Sequence, residues 1–283
     1  MRISKVAVIG AGTMGAGIAQ AAATAGLDVV LVDVNAAVLA SAKDKIKARL
    51  EKAAQKGQLA VERVPQILAR IALAAELKAA EDAWVVIEAV VEDLNVKQKV
   101  FAELDRTCRP ETILATNTSA LSVSAIADAT QRPDRVVGMH FFNPPTVMKL
   151  VEVVSSRRTS EATLAAVEDL ARKLDKVPVR VKESPGFVVN RLLMPMLNEA
   201  ARLVQAGVAT PEAVDQAMTL GAAHPMGPLA LADLIGIDVL VTVLESLHRD
   251  LNDPHFEPCP LLREMVKARR LGRKTGQGFF KYA

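Results

Sequence analysis

The chain has 283 residues, of which 51% are hydrophobic and 24% are charged, and its formal net charge is +3. This composition is typical of a folded globular protein of about two domains, and it excludes disordered, collagen-like and disulfide-scaffold chains. The small charge gives no indication of a nucleic-acid partner, and charged residues interrupt every long apolar stretch, so no membrane span is expected. Cys108 and Cys259 lack metal-ligand spacing, and no signal-like segment opens the chain. We therefore expect a cytoplasmic protein with free thiols and no metal.

In the first two thirds of the chain, short apolar runs alternate with helix-length segments. The runs are rich in β-branched residues, which predicts strands buried on both faces. They comprise residues 6–9, 29–32, 85–90, 113–115, 136–139, 150–154 and 177–181. The helical segments between them include residues 14–25, 39–56 and 96–108. Alternation of this kind predicts an α/β fold with a doubly wound, mostly parallel sheet.

The pattern changes after Ser184, where the strand signal ends. Residues 187–206 form a long helical pattern that ends at Gly207, and Thr210 is a predicted N-cap for the next helix. A further helix is predicted over residues 229–247. We place the domain boundary so that residues 1–185 form the α/β domain and residues 186–283 form an all-α domain.

A glycine-rich turn follows the first predicted strand and precedes the first predicted helix. It contains Gly10, Gly12, Thr13, Met14 and Gly15. Its glycines allow a tight turn, close approach of a pyrophosphate, and packing of helix on strand, as in a Rossmann-type nucleotide-binding domain. The alternative interpretation is a glycine turn without a ligand.

Asp33 ends the second predicted strand, where a carboxylate can hold the adenine ribose. Because a carboxylate repels the extra phosphate of NADP, the sequence favours NAD as the cofactor.

Polar residues also follow other predicted strands. Residues 116–119 read Thr-Asn-Thr-Ser, residues 138–144 surround His140, and Glu152 lies within the next strand. Residues 184–191, Ser-Pro-Gly-Phe-Val-Val-Asn-Arg, mark the domain boundary. The carboxyl ends of parallel strands meet at one crevice, so we expect the strand-end groups to face a ligand.

Taken together, these motifs resemble the L-3-hydroxyacyl-CoA dehydrogenase family, particularly its short-chain 3-hydroxybutyryl-CoA dehydrogenases. The resemblance covers essentially the whole chain, including residues 224–228 and 271–279. It implies an NAD-dependent oxidoreductase that interconverts 3-hydroxyacyl-CoA and 3-oxoacyl-CoA thioesters. It also implies a homodimer formed through the C-terminal helices.

The resemblance implies a role for each matching residue. His140 is expected to be the general base, with Glu152 orienting its ring and stabilising the imidazolium. Ser119 and Asn190 are expected to bind the reacting oxygens of the substrate. Contacts with NAD are implied, beyond the glycine turn and Asp33, for Glu92, Lys97, Asn117, Ser119, Asn143 and Lys274.

Structural interpretations stay open for several of these residues. Ser119 and Asn190 are also residue types that cap helices. Glu152 could be a surface acid at the end of a strand, and His140 could be a packing residue. Lys52 and Lys56 lie on a basic helix face that is either ordinary solvated surface or a site for the phosphates of coenzyme A.

Two other functions compete with the thioester dehydrogenase. The first is a dehydrogenase of free β-hydroxyacids, but such enzymes carry a lysine at the position occupied here by Gly186. The second is an NAD-binding protein without turnover, which would have no need of His140 and Glu152 together.

Overall fold

The computed structural model describes residues 3–282, so the outermost residues of both predicted domains, 1–2 and 283, lie outside the described part. The chain divides into two compact units. The first unit ends at Ser184 and the second begins at Pro185. Within residues 3–282, no helix combines the length and the apolar character needed to cross a bilayer.

The first unit is built on one eight-stranded sheet with the order β3-β2-β1-β4-β5-β6-β7-β8. The strands are β1 (Lys5–Ile9), β2 (Asp28–Val32), β3 (Ile71–Ala74), β4 (Val85–Glu88), β5 (Ile113–Thr116), β6 (Val136–Phe141), β7 (Leu150–Ser155) and β8 (Val177–Lys182). Neighbouring strands are parallel except for the antiparallel pair β6 and β7. The order of the first six strands is that of a Rossmann fold.

In the described part of this unit the α-helices that flank the sheet are α1 (Thr13–Thr24), α2 (Ala36–Gln55), α3 (Arg63–Ala69), α4 (Leu94–Thr107), α5 (Val123–Ala127) and α6 (Glu161–Lys173). Side chains of Asn35, Asp93, Ser122 and Ser160 cap α2, α4, α5 and α6 by accepting hydrogen bonds from first-turn N–H groups. Apolar faces of the helices pack on buried strand residues, so the core lies between the sheet and its helices.

The second unit is helical. Its helices are α7 (Val189–Gln205), α8 (Pro211–Gly221), α9 (Pro228–Ile235), α10 (Ile237–Leu251) and α11 (Pro260–Lys267). Thr210 caps α8 as predicted, by accepting a hydrogen bond from the N–H of Ala213. The predicted fold class, a mostly parallel α/β sheet followed by helices, is confirmed.

Three local predictions were wrong or incomplete. Strand β3 was missed. The helix predicted over residues 229–247 is two helices, because the chain breaks at Gly236, whose φ of 106° lies outside the helical region. The strand predicted over residues 177–181 exists, but it is not buried on both faces. As β8 it is the last strand in the sheet order, and Val177 and Val179 are exposed.

Candidate active site

The three glycines of the turn between β1 and α1 have different surroundings. Gly10 has a φ of +98°, and a Cβ placed on it would lie 2.6 Å from the carbonyl oxygen of Ala89. A Cβ on Gly15 would lie 1.8 Å from the carbonyl oxygen of Gly10. A Cβ on Gly12 would meet no atom of the described residues within 4 Å. The first and third glycines are therefore required by packing, whereas the second leaves open space.

Helix α1 begins next to that space. Its N-cap is Gly12, and no side chain in residues 3–282 caps the first turn, which starts with Thr13 and Met14. Uncapped N–H groups and the positive end of the helix dipole favour a phosphate ligand. The residues present therefore fit the pyrophosphate of a dinucleotide.

Asp33 connects the glycine turn to the end of β2. Its Oδ2 accepts a hydrogen bond of 2.8 Å from the N–H of Ala11, and its Oδ1 accepts one of 2.9 Å from the N–H of Asn35. These bonds hold a carboxylate at the place where nucleotide-binding folds of this type bind the adenine ribose.

A buried ion pair that was not predicted from the sequence lies at the end of β4. Glu88 is fully buried and Lys97 is 1% exposed, with Nζ of the lysine 2.7 Å from Oε1 of the glutamate. The N–H of Val90 also donates to Oε1, and the hydroxyl of Thr116 donates to Oε2, each at 2.7 Å. Both carboxylate oxygens are thus bonded. The sequence signal that could have indicated this pair is Glu88 itself, an acid in an otherwise apolar predicted strand.

Glu92, between β4 and α4, holds the segment that contains Ser119. Its Oε2 lies 3.3 Å from Nζ of Lys97, and its Oε1 accepts hydrogen bonds from the hydroxyl of Thr118 at 2.6 Å and the N–H of Ser119 at 2.8 Å. Burial alone would raise the pKa of Glu92, but the charge of Lys97 and these hydrogen bonds outweigh it and lower the pKa below its ordinary value. Glu92 is therefore a carboxylate at neutral pH.

Ser119 itself is half-buried, and its hydroxyl lies 3.2 Å from Oε1 of Glu92, to which it donates. It does not cap the following helix. The cap of α5 is Ser122, whose hydroxyl accepts a hydrogen bond from the N–H of Ala125. The interpretation of Ser119 as a helix cap is therefore wrong.

His140 in β6 and Glu152 in β7 are directly opposite each other in the antiparallel ladder. Nδ1 of the imidazole lies 2.7 Å from Oε2 of the carboxylate. The two residues are 6% and 1% exposed, so the interpretation of Glu152 as a surface acid is wrong. The ring of Phe142 packs against the imidazole at a centroid distance of 4.5 Å. A buried carboxylate on Nδ1 fixes the orientation of the ring.

Asn117 connects the ends of three neighbouring strands. Its backbone N–H donates to the carbonyl of Glu88 at 2.7 Å, and its Oδ1 accepts a hydrogen bond of 2.9 Å from the N–H of Phe141. Asn143 is exposed just beyond the end of β6. The glycine turn, Asp33, the buried ion pair and Asn117 thus share the carboxyl edge of the parallel strands, where doubly wound folds bind ligands.

Lys52 and Lys56 lie exposed at the C-terminal end of α2. Another face of this helix is buried and carries Leu39, Ala42, Ile46 and Leu50. Both lysines thus lie at the end of a helix and not at the strand ends that form the carboxyl edge of the sheet.

Two predicted site residues belong to the second unit. Asn190 is the second residue of α7, and because the N-cap is Val188, the interpretation of Asn190 as the cap is wrong. Lys274 lies in a short 3₁₀ segment, where its ammonium is 2.5 and 2.7 Å from the two carboxylate oxygens of Asp238. In this unit Lys274 is therefore held by an ion pair at the start of α10.

The chain matches two family models in succession. The model described as 3-hydroxyacyl-CoA dehydrogenase, NAD binding domain, matches residues 5–184, and the corresponding C-terminal domain model matches residues 186–282. The chain belongs to the 3-hydroxyacyl-CoA dehydrogenase family. The predicted resemblance is confirmed, and with it the predicted cofactor, NAD, and the predicted class, an NAD-dependent dehydrogenase.

Members of this family resemble the chain over its full length. A probable 3-hydroxybutyryl-CoA dehydrogenase of Bacillus subtilis is 50% identical over 282 residues, which cover 100% of this chain and 98% of the relative. The 3-hydroxybutyryl-CoA dehydrogenase of Clostridioides difficile is 48% identical, with 98% and 99% covered. The crystal structure of (S)-3-hydroxybutyryl-CoA dehydrogenase from Ralstonia eutropha has a TM-score of 0.96 and 45% identity, with all of both chains covered.

Proposed function

We propose that this dehydrogenase interconverts (S)-3-hydroxybutyryl-CoA and acetoacetyl-CoA with NAD. The full-length relatives support the substrate, because they are named for 3-hydroxybutyryl-CoA at 48% and 50% identity. The observation that carries the reaction type is the buried pair of His140 and Glu152. Oxidation of a secondary alcohol removes a proton from oxygen and a hydride from carbon, and imidazole is the side chain that exchanges protons near neutral pH.

In this proposal, His140 takes the proton of the 3-hydroxyl group. Because Glu152 holds Nδ1, proton exchange with the substrate is assigned to Nε2. The carboxylate compensates the positive charge that the ring gains, and in the reverse direction the ring returns the proton to the oxygen. NAD, when bound, supplies the hydride acceptor.

The cofactor is proposed to bind at the carboxyl edge of the sheet. The open space at Gly12 and the uncapped start of α1 support pyrophosphate binding there, and the carboxylate of Asp33 supports ribose binding. Lys97 is buried and paired with the carboxylates of Glu88 and Glu92, so its proposed role is to orient Glu92 toward the cofactor. The family resemblance extends the proposed cofactor contacts to Thr13, Met14, Glu92, Asn117, Ser119, Asn143 and Lys274.

The thioester is proposed to meet four further groups. Ser119 and Asn190 bind the reacting oxygens, as the resemblance implies. Lys52 and Lys56, which are exposed cations, bind the phosphates of coenzyme A. Residues 1–185 thus act as the NAD domain and residues 186–283 as the substrate-binding domain.

The second unit is also proposed to form a homodimer in a cytoplasmic enzyme. Large apolar side chains are exposed on this unit, with Leu192 at 70% and Leu220 at 77%. Exposed apolar surface of this kind marks protein contacts. Analytical ultracentrifugation measures the mass directly, and a monomer at micromolar concentration would contradict the proposal.

Loss of NADH absorbance tests the activity, with acetoacetyl-CoA and free acetoacetate compared at equal concentration. We expect turnover of acetoacetyl-CoA and none of free acetoacetate. Turnover of the free acid and not of the thioester would instead favour a β-hydroxyacid dehydrogenase. His140→Asn should abolish turnover while NADH binding persists. The matched control is His248→Asn, because His248 is a half-buried histidine of α10 in the second unit, and its Nδ1 bonds to the backbone carbonyl of Asp253. Normal turnover in His140→Asn would refute the mechanism.

A further inference from the structure

The loop that carries Ser119 is held by a carboxylate at each end. We define the serine loop as residues 117–124, which include the first two residues of α5. At its beginning, Oε1 of Glu92 accepts hydrogen bonds from residues 118–120. At its far end, a second carboxylate, Glu183, binds residues 122 and 124. The role proposed for Glu92 and Ser119 leaves this second carboxylate without a function.

The contacts of Glu183 with the serine loop are dense. Its Oε1 accepts hydrogen bonds from the hydroxyl of Ser122 at 2.6 Å and the N–H of Ser124 at 3.0 Å. Its Oε2 accepts from the N–H of Ser124 at 3.2 Å and also from the hydroxyl of Ser124. Hydrogen bonds to a charged acceptor are stronger than neutral ones. The carboxylate therefore fixes both serines at once.

These bonds also involve the rest of α5 and the segment after β7. The hydroxyl of Ser122 donates to Glu183 and accepts from the N–H of Ala125, so the cap of α5 is oriented by the carboxylate. The hydroxyl of Ser124 also accepts a bond of 3.3 Å from the N–H of Arg157, beyond the end of β7. Networks of this type are rigid when every member is satisfied.

Glu183 also has a particular place along the chain. It follows β8 directly, and its backbone N–H donates to the carbonyl of Ser155 at 3.0 Å. The first unit ends one residue later, at Ser184. The serine loop is therefore tied to the last residues of the first unit, although more than 50 residues separate Glu183 from Ser124 along the chain.

We propose that Glu183 is a positioning residue, which acts on the reaction by holding the serine loop so that Ser119 meets the substrate. The inference rests on the proposed function, in which Ser119 binds a reacting oxygen. Small misplacement of a substrate-binding group lowers the rate strongly, because the reacting atoms no longer reach the required geometry. Glu183 acts through Ser119 and touches no reacting atom itself.

A double-mutant cycle tests whether Glu183 acts on the reaction through Ser119. We compare the turnover of acetoacetyl-CoA by wild type, Glu183→Ala, Ser119→Ala and the double variant. Each single variant is expected to lower kcat about tenfold. The double variant should be no slower than Ser119→Ala, because a positioning residue has nothing left to position. Multiplied losses in the double variant, or an unchanged kcat in Glu183→Ala, would overturn the inference. If Ser119→Ala alone is as active as wild type, the proposed role of Ser119 fails and the inference falls with it.

A second measurement does not depend on substrate. Hydrogen–deuterium exchange of the peptide covering residues 117–124 should be faster in Glu183→Ala than in wild type. Glu183→Gln, which keeps one acceptor oxygen, should recover part of the protection and of the kcat. Asp128→Ala is the matched control, because it removes an exposed ion pair with Arg158 beyond the other end of α5. Unchanged exchange in Glu183→Ala overturns the inference even if wild type fails to reduce acetoacetyl-CoA, so the two failures are distinguishable.

Discussion

Replacement of Glu152 by glutamine measures how much of the rate depends on the carboxylate behind His140. The substitution keeps the shape of the side chain and removes its charge. Glu152 is 1% exposed, so water has almost no access to replace the lost interaction. The amide can also present N–H groups to Nδ1, which favours the wrong tautomer of the ring.

The expected size of the effect follows from the geometry of the pair. A hydrogen bond to a charged group, at the 2.7 Å found here, contributes about 1.5–3 kcal/mol. Each 1.4 kcal/mol or so of lost transition-state stabilisation corresponds to about a tenfold loss of rate. We therefore expect kcat to fall about 10- to 100-fold in Glu152→Gln. NADH binding should stay close to wild type, because Glu152 lies in β7, which β4, β5 and β6 separate from β1 and the glycine turn in the sheet order.

Steady-state NADH oxidation with acetoacetyl-CoA measures kcat, and NADH fluorescence measures cofactor binding. Glu245→Gln is the matched control, since it removes an exposed carboxylate of α10 that pairs with Arg263 of α11, both in the second unit. Thermal unfolding shows whether both variants are folded. A folded Glu152→Gln protein with the kcat of wild type would refute the assignment of Glu152 as the support of the general base.

Three further predictions concern stability and cofactor binding. Gly10→Ala places a Cβ 2.6 Å from a carbonyl oxygen at a φ of +98°, which should cost at least about 1–3 kcal/mol of unfolding free energy. Gly12→Ala, which faces open space, should keep stability and weaken NADH binding; equal loss of stability in the two variants by urea unfolding would contradict this reasoning. Lys97→Met leaves the fully buried carboxylate of Glu88 without its ammonium, so urea unfolding should show a loss of about 3–5 kcal/mol, and wild-type stability would show that the pair is not needed. Burial raises the pKa of the Cys108 thiol from 9.0 to about 11, so its contribution to stability is complete below the unfolded-state pKa and is lost as pH rises toward about 11. The fall in urea midpoint over this pH range should be smaller in Cys108→Ala, and identical profiles would contradict the burial argument.

Most of the fold could be predicted because strands that are buried on both faces have continuous apolar sequences. Strand β3 was missed because residues 71–74 read Ile-Ala-Leu-Ala, in which only Ile71 is β-branched and only Ile71 is buried. The break at Gly236 was missed because the apolar spacing continues on both sides of it. The exposure of β8 was missed because an apolar run does not reveal which strand lies at the edge of the sheet.

The site could be predicted in part. Residues that follow strands, such as Asp33 and Asn117, could be placed at one edge from the alternation of strands and helices alone. The hydrogen-bond network that supports the serine loop could not be predicted. It depends on which carboxylates lie beside the hydroxyl and N–H groups of the loop in the folded chain. Glu88 stands in an apolar strand, and Glu183 stands far along the chain from the serines that it binds. Partners that are so far apart along the chain are determined by packing, and a local sequence pattern does not predict them.

The antiparallel pairing of β6 and β7 has a consequence for how length changes are tolerated. His140 and Glu152 face each other because of ladder register, and not because of the number of residues that join the two strands. Insertions between residues 142 and 149 can therefore lengthen the connection without separating the pair. Deletion of one residue inside β7 acts differently, because side chains alternate between the two faces of a sheet. Such a deletion puts the residues on its two sides out of alternation, so either Glu152 or the part of β7 beyond the deletion faces the wrong side of the sheet.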